Sequence, residues 1–174
     1  GLELIEAFYL FNLRPEQLEV LIHPQSLVHG MVVYADGSVL TQMGAPDMRT
    51  PIAHAFAWPD RMGTPGRKLD LQGLSTLDFL RPDTDRFPAL RLAGEVLKTI
   101  SESGHAAALI YNTANEEAVY AFLHGEISFP AIAETIEACL NQMERPDLHT
   151  LEAVLDFDHK IRLEAQAFIR KNAA

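Results

Sequence analysis

A single cysteine, Cys139, stands among the 174 residues, so no disulfide can form within the chain. It falls in an apolar helical pattern, where a thiol serves as a small buried hydrophobe. Such sparse cysteine suits a reducing compartment. No apolar run approaches the roughly 18 residues of a membrane-spanning helix, and no signal-peptide pattern is present. Basic residues are also scarce: 14 Lys and Arg stand against 24 Asp and Glu, a formal net charge of −10. That balance argues against nucleic acid or an anionic membrane as partner. It also discourages a phosphorylated substrate unless local donors or a metal reverse the field. A glycine-rich phosphate loop, a Cys/His zinc spacing and a Gly-x-Ser-x-Gly elbow are all missing. The chain opens Gly1-Leu2-Glu3, without an initiating Met and already in a helical pattern. It reads as a segment of a longer protein.

What is present can build a core, since 48% of the residues are hydrophobic and 22% charged. Leu2, Ile5, Phe8 and Tyr9 carry helical spacing over residues 2–12, broken at Leu13-Arg14-Pro15. Residues 19–23 read as a short strand before Pro24. Residues 27–43 predict an antiparallel hairpin turning at Asp36-Gly37, with an outer strand free to pair with another subunit. A loop over 44–49 follows. Thr50 then caps a helix that Pro51 opens and that runs to about Trp58. Residues 59–84, rich in Pro and Gly, read as a linker between lobes.

From Asp85 the pattern is helical. Phe87, Leu90, Ala93, Leu97 and Ile100 form one stripe, closed by Gly104. Thr113-Ala114-Asn115-Glu116 reads as a capping box opening the next helix, closed by Gly125. Ser128 caps a third helix with Ile132, Ile136, Leu140 and Met143 inward. Asp156 caps a last one carrying Ile161, Ala165, Phe168 and Ile169, with Lys171 suited to its C-terminal end. The expected fold class is α+β: helices and an antiparallel β-hairpin, then a linker (59–84) and a small helical bundle from residue 85 onward.

Few residues offer chemistry. Glu3 and Glu6 share a helix face and could bind a hard divalent cation with further oxygen ligands, or form a solvated acidic surface. His23, Ser26 and His29 lie within seven residues. A serine and a histidine three apart could orient a substrate or pass a proton, or be a capping serine and a satisfied core histidine.

Four strings sharpen this. Gly1-Leu2-Glu3-Leu4-Ile5-Glu6-Ala7, His23-Pro24-Gln25-Ser26-Leu27-Val28-His29, Gly44-Ala45-Pro46-Asp47-Met48-Arg49-Thr50-Pro51-Ile52 and Asn112-Thr113-Ala114-Asn115-Glu116 occur in this order. Together they resemble the later half of the 1-deoxy-D-xylulose 5-phosphate reductoisomerase family. The resemblance implies the end of an α/β catalytic and dimerisation domain (1–58), a linker (59–84) and a C-terminal helical domain (85–174), with the nicotinamide domain upstream. It implies a rearrangement of 1-deoxy-D-xylulose 5-phosphate and its reduction by NADPH to 2-C-methyl-D-erythritol 4-phosphate, in non-mevalonate isoprenoid synthesis.

The resemblance also implies roles. Glu3 matches the last of three carboxylates that hold Mg²⁺ or Mn²⁺, with Co²⁺ an alternative; the other two lie upstream. Ser26 and His29 match catalytic-site positions, and Pro46 and Met48 a loop beside the nicotinamide. Glu6, Asn112 and Glu116 are assigned to structure or capping. The family implies a homodimer in the cytoplasm of a bacterium or the plastid of a plant. On this view the segment alone is inactive. Two other readings use the same residues: a non-enzymatic dimerising and helical interaction module, and a freestanding metal-dependent isomerase or lyase.

Overall fold

The computed structural model describes residues 1–172, with side chains for all of these but 101–103. They form two compact units: Gly1–Glu19 with the chain from Asp83 onward, and Val20–Pro82.

The first unit is helical. It holds α1 (Leu2–Phe11), a 3-10 turn (Pro15–Gln17), α3 (Pro88–Ser103), α4 (Ala106–Leu123), α5 (Phe129–Gln142) and α6 (Leu151–Asn172). α4 is its axis and packs against α3, α5 and α6. Ala106, Ala107, Ala114 and Ala118 on α4 are fully buried. Small side chains let helices approach closely, since their separation depends on what stands at the contact. Leu92 and Val96 of α3, Ile136 of α5 and Ile161 of α6 close around the first three, and Ile169 of α6 packs with Ala118. Cys139 is buried here as expected, and burial pushes its thiol up to about 11. The helix 2–11 joins this core: Ile5 is buried in it, with Leu4 and Phe8 packed alongside.

Two helix starts in this unit differ from expectation. α4 begins at Ala106, so Thr113 sits inside the helix and opens no capping box. Its buried hydroxyl donates to Asp158 of α6 at 2.7 Å. Arg162, one turn beyond Asp158, reaches Asp158, Glu116 and Glu117. The polar residues that suggested a cap therefore join α4 to α6. α6 begins at Leu151, and Asp156 lies within it. Thr150 accepts a hydrogen bond from the Ala153 amide through Oγ1 and supplies the N-terminal partner.

The second unit carries β1 (Val28–Val33), β2 (Val39–Met43) and α2 (Arg49–Ala57). The strands pair antiparallel, with Val33 opposite Val39 and Gly30 opposite Gln42. The turn is longer than a two-residue hairpin. Gly37 donates to the Tyr34 carbonyl, Tyr34 donates to that of Ser38, and Gly37 has φ +83°. This is the three-residue turn ending in a left-handed residue, for which glycine is suited. Asp36 fixes it by accepting from the Ser38 amide and hydroxyl.

α2 starts at Arg49, so Thr50 is inside the helix; Asp47 accepts from the Arg49 amide in its place. The strand expected over 19–23 reduces to one bridge, Ile22 with Leu80. Residues 59–82 form no long regular element, yet they belong to this unit through that bridge.

Close packing about α4 makes a volume test decisive. Ala114→Leu destabilises the protein by about 1–3 kcal/mol, the ordinary cost of overfilling a tight core. Ala167→Leu, on an exposed position of α6, stays within about 0.5 kcal/mol of wild type. Urea unfolding separates the two; equal midpoints would show that α4 is not tightly enclosed.

Candidate functional site

The His23-Pro24-Gln25-Ser26 turn is built from both ends of its unit. Ile22 and Leu80 exchange two backbone hydrogen bonds of 2.9 Å. The His23 Nδ1 pairs with the Asp78 carbonyl at 2.8 Å, and its ring stacks on Phe79 at 4.8 Å between centroids. Gln25 brackets Asp78: its amide nitrogen donates to the carboxylate, and its amide oxygen accepts from the Asp78 backbone at 3.3 Å. Because Nδ1 donates to a carbonyl, the His23 Nε2 is the acceptor in the neutral ring; it is buried with no partner among the described residues. His23 and Gln25 are therefore scaffold residues that pin the 78–80 segment.

This scaffold holds Ser26 in an unusual state. Its amide donates to the His23 carbonyl at 3.0 Å, and its φ is +52°. A non-glycine residue in the left-handed region carries a backbone cost, and such residues concentrate at functional sites. The side chain is exposed, and its hydroxyl has no hydrogen-bond partner among the described residues.

His29 is presented by a second device. The register steps from Val28 opposite Met43 to Gly30 opposite Gln42, so His29 is the extra residue of a β-bulge. Bulges re-aim side chains and recur beside active sites. The exposed His29 donates from Nε2 to the Gly44 carbonyl at 3.1 Å. In the neutral ring this leaves Nδ1 as an acceptor. Gly44 donates its own amide to the Leu27 carbonyl at 2.9 Å, which ties the following loop to β1.

That loop exposes Pro46 and Met48 and turns Asp47 inward. Met48 is 72% exposed. Asp47 is gripped by the Arg49 guanidinium, Nη2 to Oδ2 at 2.6 Å and Nε to both oxygens at 2.9 and 3.0 Å. These hydrogen bonds hold its carboxyl at about 2. Ala45, Pro46 and Asp47 line a cleft of about 460 Å³ whose other wall includes Arg67 and Lys68.

Ser26, His29, Pro46 and Met48 thus share one unit; Glu3 belongs to the other. Glu3 lies in the first turn of α1, exposed, and forms no ion pair among the described residues. Its carboxylate is the hard oxygen donor that Mg²⁺ or Mn²⁺ takes. No group of three His, Cys, Asp or Glu able to hold a metal occurs among the described residues. By its chemistry Glu3 can offer such a cation one oxygen ligand. Spacing alone did not reveal Asp78 or Phe79, because both reach the motif from more than fifty residues away.

One unit with a bulged hairpin that exposes a serine and a histidine, and another that is a helical bundle, define an α+β chain with polar groups free for a ligand. The chain belongs to the DXP reductoisomerase C-terminal domain family, whose model matches residues 43–164. It is 52% identical over 171 residues to the 1-deoxy-D-xylulose 5-phosphate reductoisomerase of Paraburkholderia phytofirmans, covering 98% of this chain and 42% of that protein. It is 50% identical over 173 residues to that of Pseudomonas savastanoi pv. phaseolicola, covering 99% and 43%.

Among solved structures, the Zymomonas mobilis reductoisomerase in complex with NADPH matches at TM-score 0.83 and 48% identity, over 96% of this chain and 43% of that one. A DOX-P reductoisomerase in complex with NADPH, fosmidomycin and magnesium matches at TM-score 0.87 and 43% identity, over 99% and 44%. The chain spans about two fifths of the length of the relatives it matches. No helix among the described residues is long and apolar enough to cross a membrane.

The Asp47–Arg49 clamp sets a pH dependence. Folding lowers this carboxyl from its ordinary 3.8 to about 2. Its contribution is therefore complete above the unfolded value and is lost as pH falls toward the folded one. The Asp47 carboxyl ¹³C signal should titrate with a midpoint of about 2. Arg49→Ala should move the midpoint up toward 3.8. An unchanged midpoint in that variant would remove Arg49 as the cause.

Proposed function

We propose that this chain is the C-terminal part of an enzyme that rearranges 1-deoxy-D-xylulose 5-phosphate and reduces it with NADPH to 2-C-methyl-D-erythritol 4-phosphate. The family match over residues 43–164 carries the reading. A divalent cation in such an enzyme would polarise the substrate's oxygens and offset charge developing during the rearrangement.

The chain's own residues have separable tasks. Glu3 supplies one anionic oxygen ligand. Ser26, its hydroxyl free and its backbone held in the left-handed region, binds a polar group of the substrate. His29 orients substrate through Nδ1, with the Gly44 carbonyl fixing its ring from the other side. Pro46 and Met48 offer an apolar surface to the nicotinamide. By sequence order residues 1–58 would complete the catalytic and dimerisation domain, 59–84 would link it and 85–174 would form the helical domain, although Gly1–Glu19 pack with the helical unit and 59–82 with the hairpin unit. The protein acts as a homodimer in the cytoplasm of a bacterium, or in a plastid if it comes from a plant. The exposed hairpin side chains Val32, Val33 and Leu40 are compatible with a subunit or domain covering that sheet.

The test uses the full-length parent protein. It should oxidise NADPH only when both substrate and Mg²⁺ or Mn²⁺ are present. Glu3→Gln should keep the fold, by circular dichroism, and lower metal-dependent turnover about a hundredfold or more, because a Lewis-acid cation is worth several kcal/mol. Ser26→Ala should lose less. A folded parent without NADPH oxidation would favour an interaction module, and turnover without a nicotinamide would favour a freestanding isomerase or lyase. A Glu3→Gln enzyme with wild-type rate and metal response would remove Glu3 from the site.

A further inference from the structure

The helical unit grips α1 at three levels. Near its C-terminal end the Tyr9 hydroxyl pairs with His105 Nδ1 at 2.8 Å. In the middle, Ile5 is buried among the bundle side chains. At the start, Gly1 accepts the amides of Leu4 and Ile5 through its carbonyl and lies directly against α3 and α4. A Cβ placed on Gly1 would stand 2.8 Å from the Ala89 carbonyl oxygen and closer still to the Tyr111 hydroxyl. Those two atoms are themselves joined: Tyr111, 2% exposed, donates to Ala89 at 2.9 Å.

Helical geometry gives this stop a direction. At about 100° per residue, Gly1, Ile5 and Phe8 share the bundle-facing side, and Glu3 falls roughly opposite. Ile5 is buried, Phe8 half-buried and Glu3 exposed; Gly1, though close to the Tyr111–Ala89 pair, is itself exposed on its other side. Sliding or rolling α1 on the bundle would therefore move the Glu3 carboxylate directly.

The geometry points to Tyr111 as a positioning residue for metal binding: its hydroxyl, locked to the Ala89 carbonyl, seats the Gly1 backbone and so fixes where α1 presents Glu3 to the cation. This rests on the reading of Glu3 as a cation ligand. The observation that carries it is that no side chain fits between Gly1 and the Tyr111–Ala89 pair. Burial also pushes the phenol up to about 12, so the hydroxyl keeps its proton and remains a donor. Tyr111 touches neither substrate nor cation in this account. It acts through the first turn of α1, as outer partners of metal ligands do.

The experiment measures Mn²⁺ affinity, by water-proton relaxation, in the full-length parent protein and its variants, all well below their unfolding temperatures. Tyr111→Phe keeps the ring and deletes the donor; it should weaken Mn²⁺ binding about tenfold, the low end of losses at outer partners. Ile136→Val removes a methylene from α5 in the same core without touching the Tyr111–Ala89 pair's hydroxyl donor, and should leave Mn²⁺ affinity unchanged despite a lower unfolding temperature. A folded Tyr111→Phe protein with wild-type Mn²⁺ affinity overturns the inference, as does equal weakening in Ile136→Val. Glu3→Gln serves as the reference. If it binds Mn²⁺ like wild type, the ligand reading itself fails; if it loses Mn²⁺ while Tyr111→Phe does not, only the positioning role fails.

Discussion

The contact on which the helical unit's chemistry depends is the seat of α1 on α3 and α4. Two facts define it: Ile5 is buried in the bundle core, and Gly1 has no room for a side chain. A helix held on one side leaves its other side for work, and Glu3 occupies that other side. The bundle is then more than a tail. Its alanine-rich central helix and the Tyr111–Ala89 hydrogen bond set the height and roll of the segment that carries the proposed ligand. Packing energy spread over many apolar contacts becomes positional precision at one carboxylate.

In the hairpin unit the same economy works through the backbone. Two local irregularities, a left-handed Ser26 and a bulge at His29, present the polar side chains. Each irregularity is supported by hydrogen bonds from elsewhere in the unit: Gln25 to Asp78, His23 to the Asp78 carbonyl, and His29 to the Gly44 carbonyl. Strain at an exposed polar residue with a rigid support behind it is the arrangement expected of a prearranged binding site. It divides the His23–His29 motif into scaffold positions, His23 and Gln25, and presented positions, Ser26 and His29.

Much of the architecture was legible from residue pattern. The hairpin, the helix that follows it and the apolar stripes of the bundle each follow from period and turn chemistry. Errors arose where side chains chose tertiary partners over local ones. Thr113 and Glu116 have the spacing of a capping box, but Asp158 and Arg162 of α6 take them instead. The first turn of α6 was missed because Leu151 and Leu155 are exposed, so the apolar stripe there does not mark a buried face. Glu3, Ser26, His29, Pro46 and Met48 were selected by resemblance. Spacing alone left each with an ordinary structural alternative. The supports beneath them, Asp78, Phe79 and Tyr111, were invisible because each acts across a long stretch of chain.

Anomalous diffraction from Mn²⁺-loaded crystals of the full-length parent protein tests the central claim most directly. The account predicts a manganese peak at ordinary oxygen-ligand distance, about 2–2.5 Å, from the Glu3 carboxylate. An ordered manganese peak bound elsewhere, with Glu3 free in solvent, would contradict it.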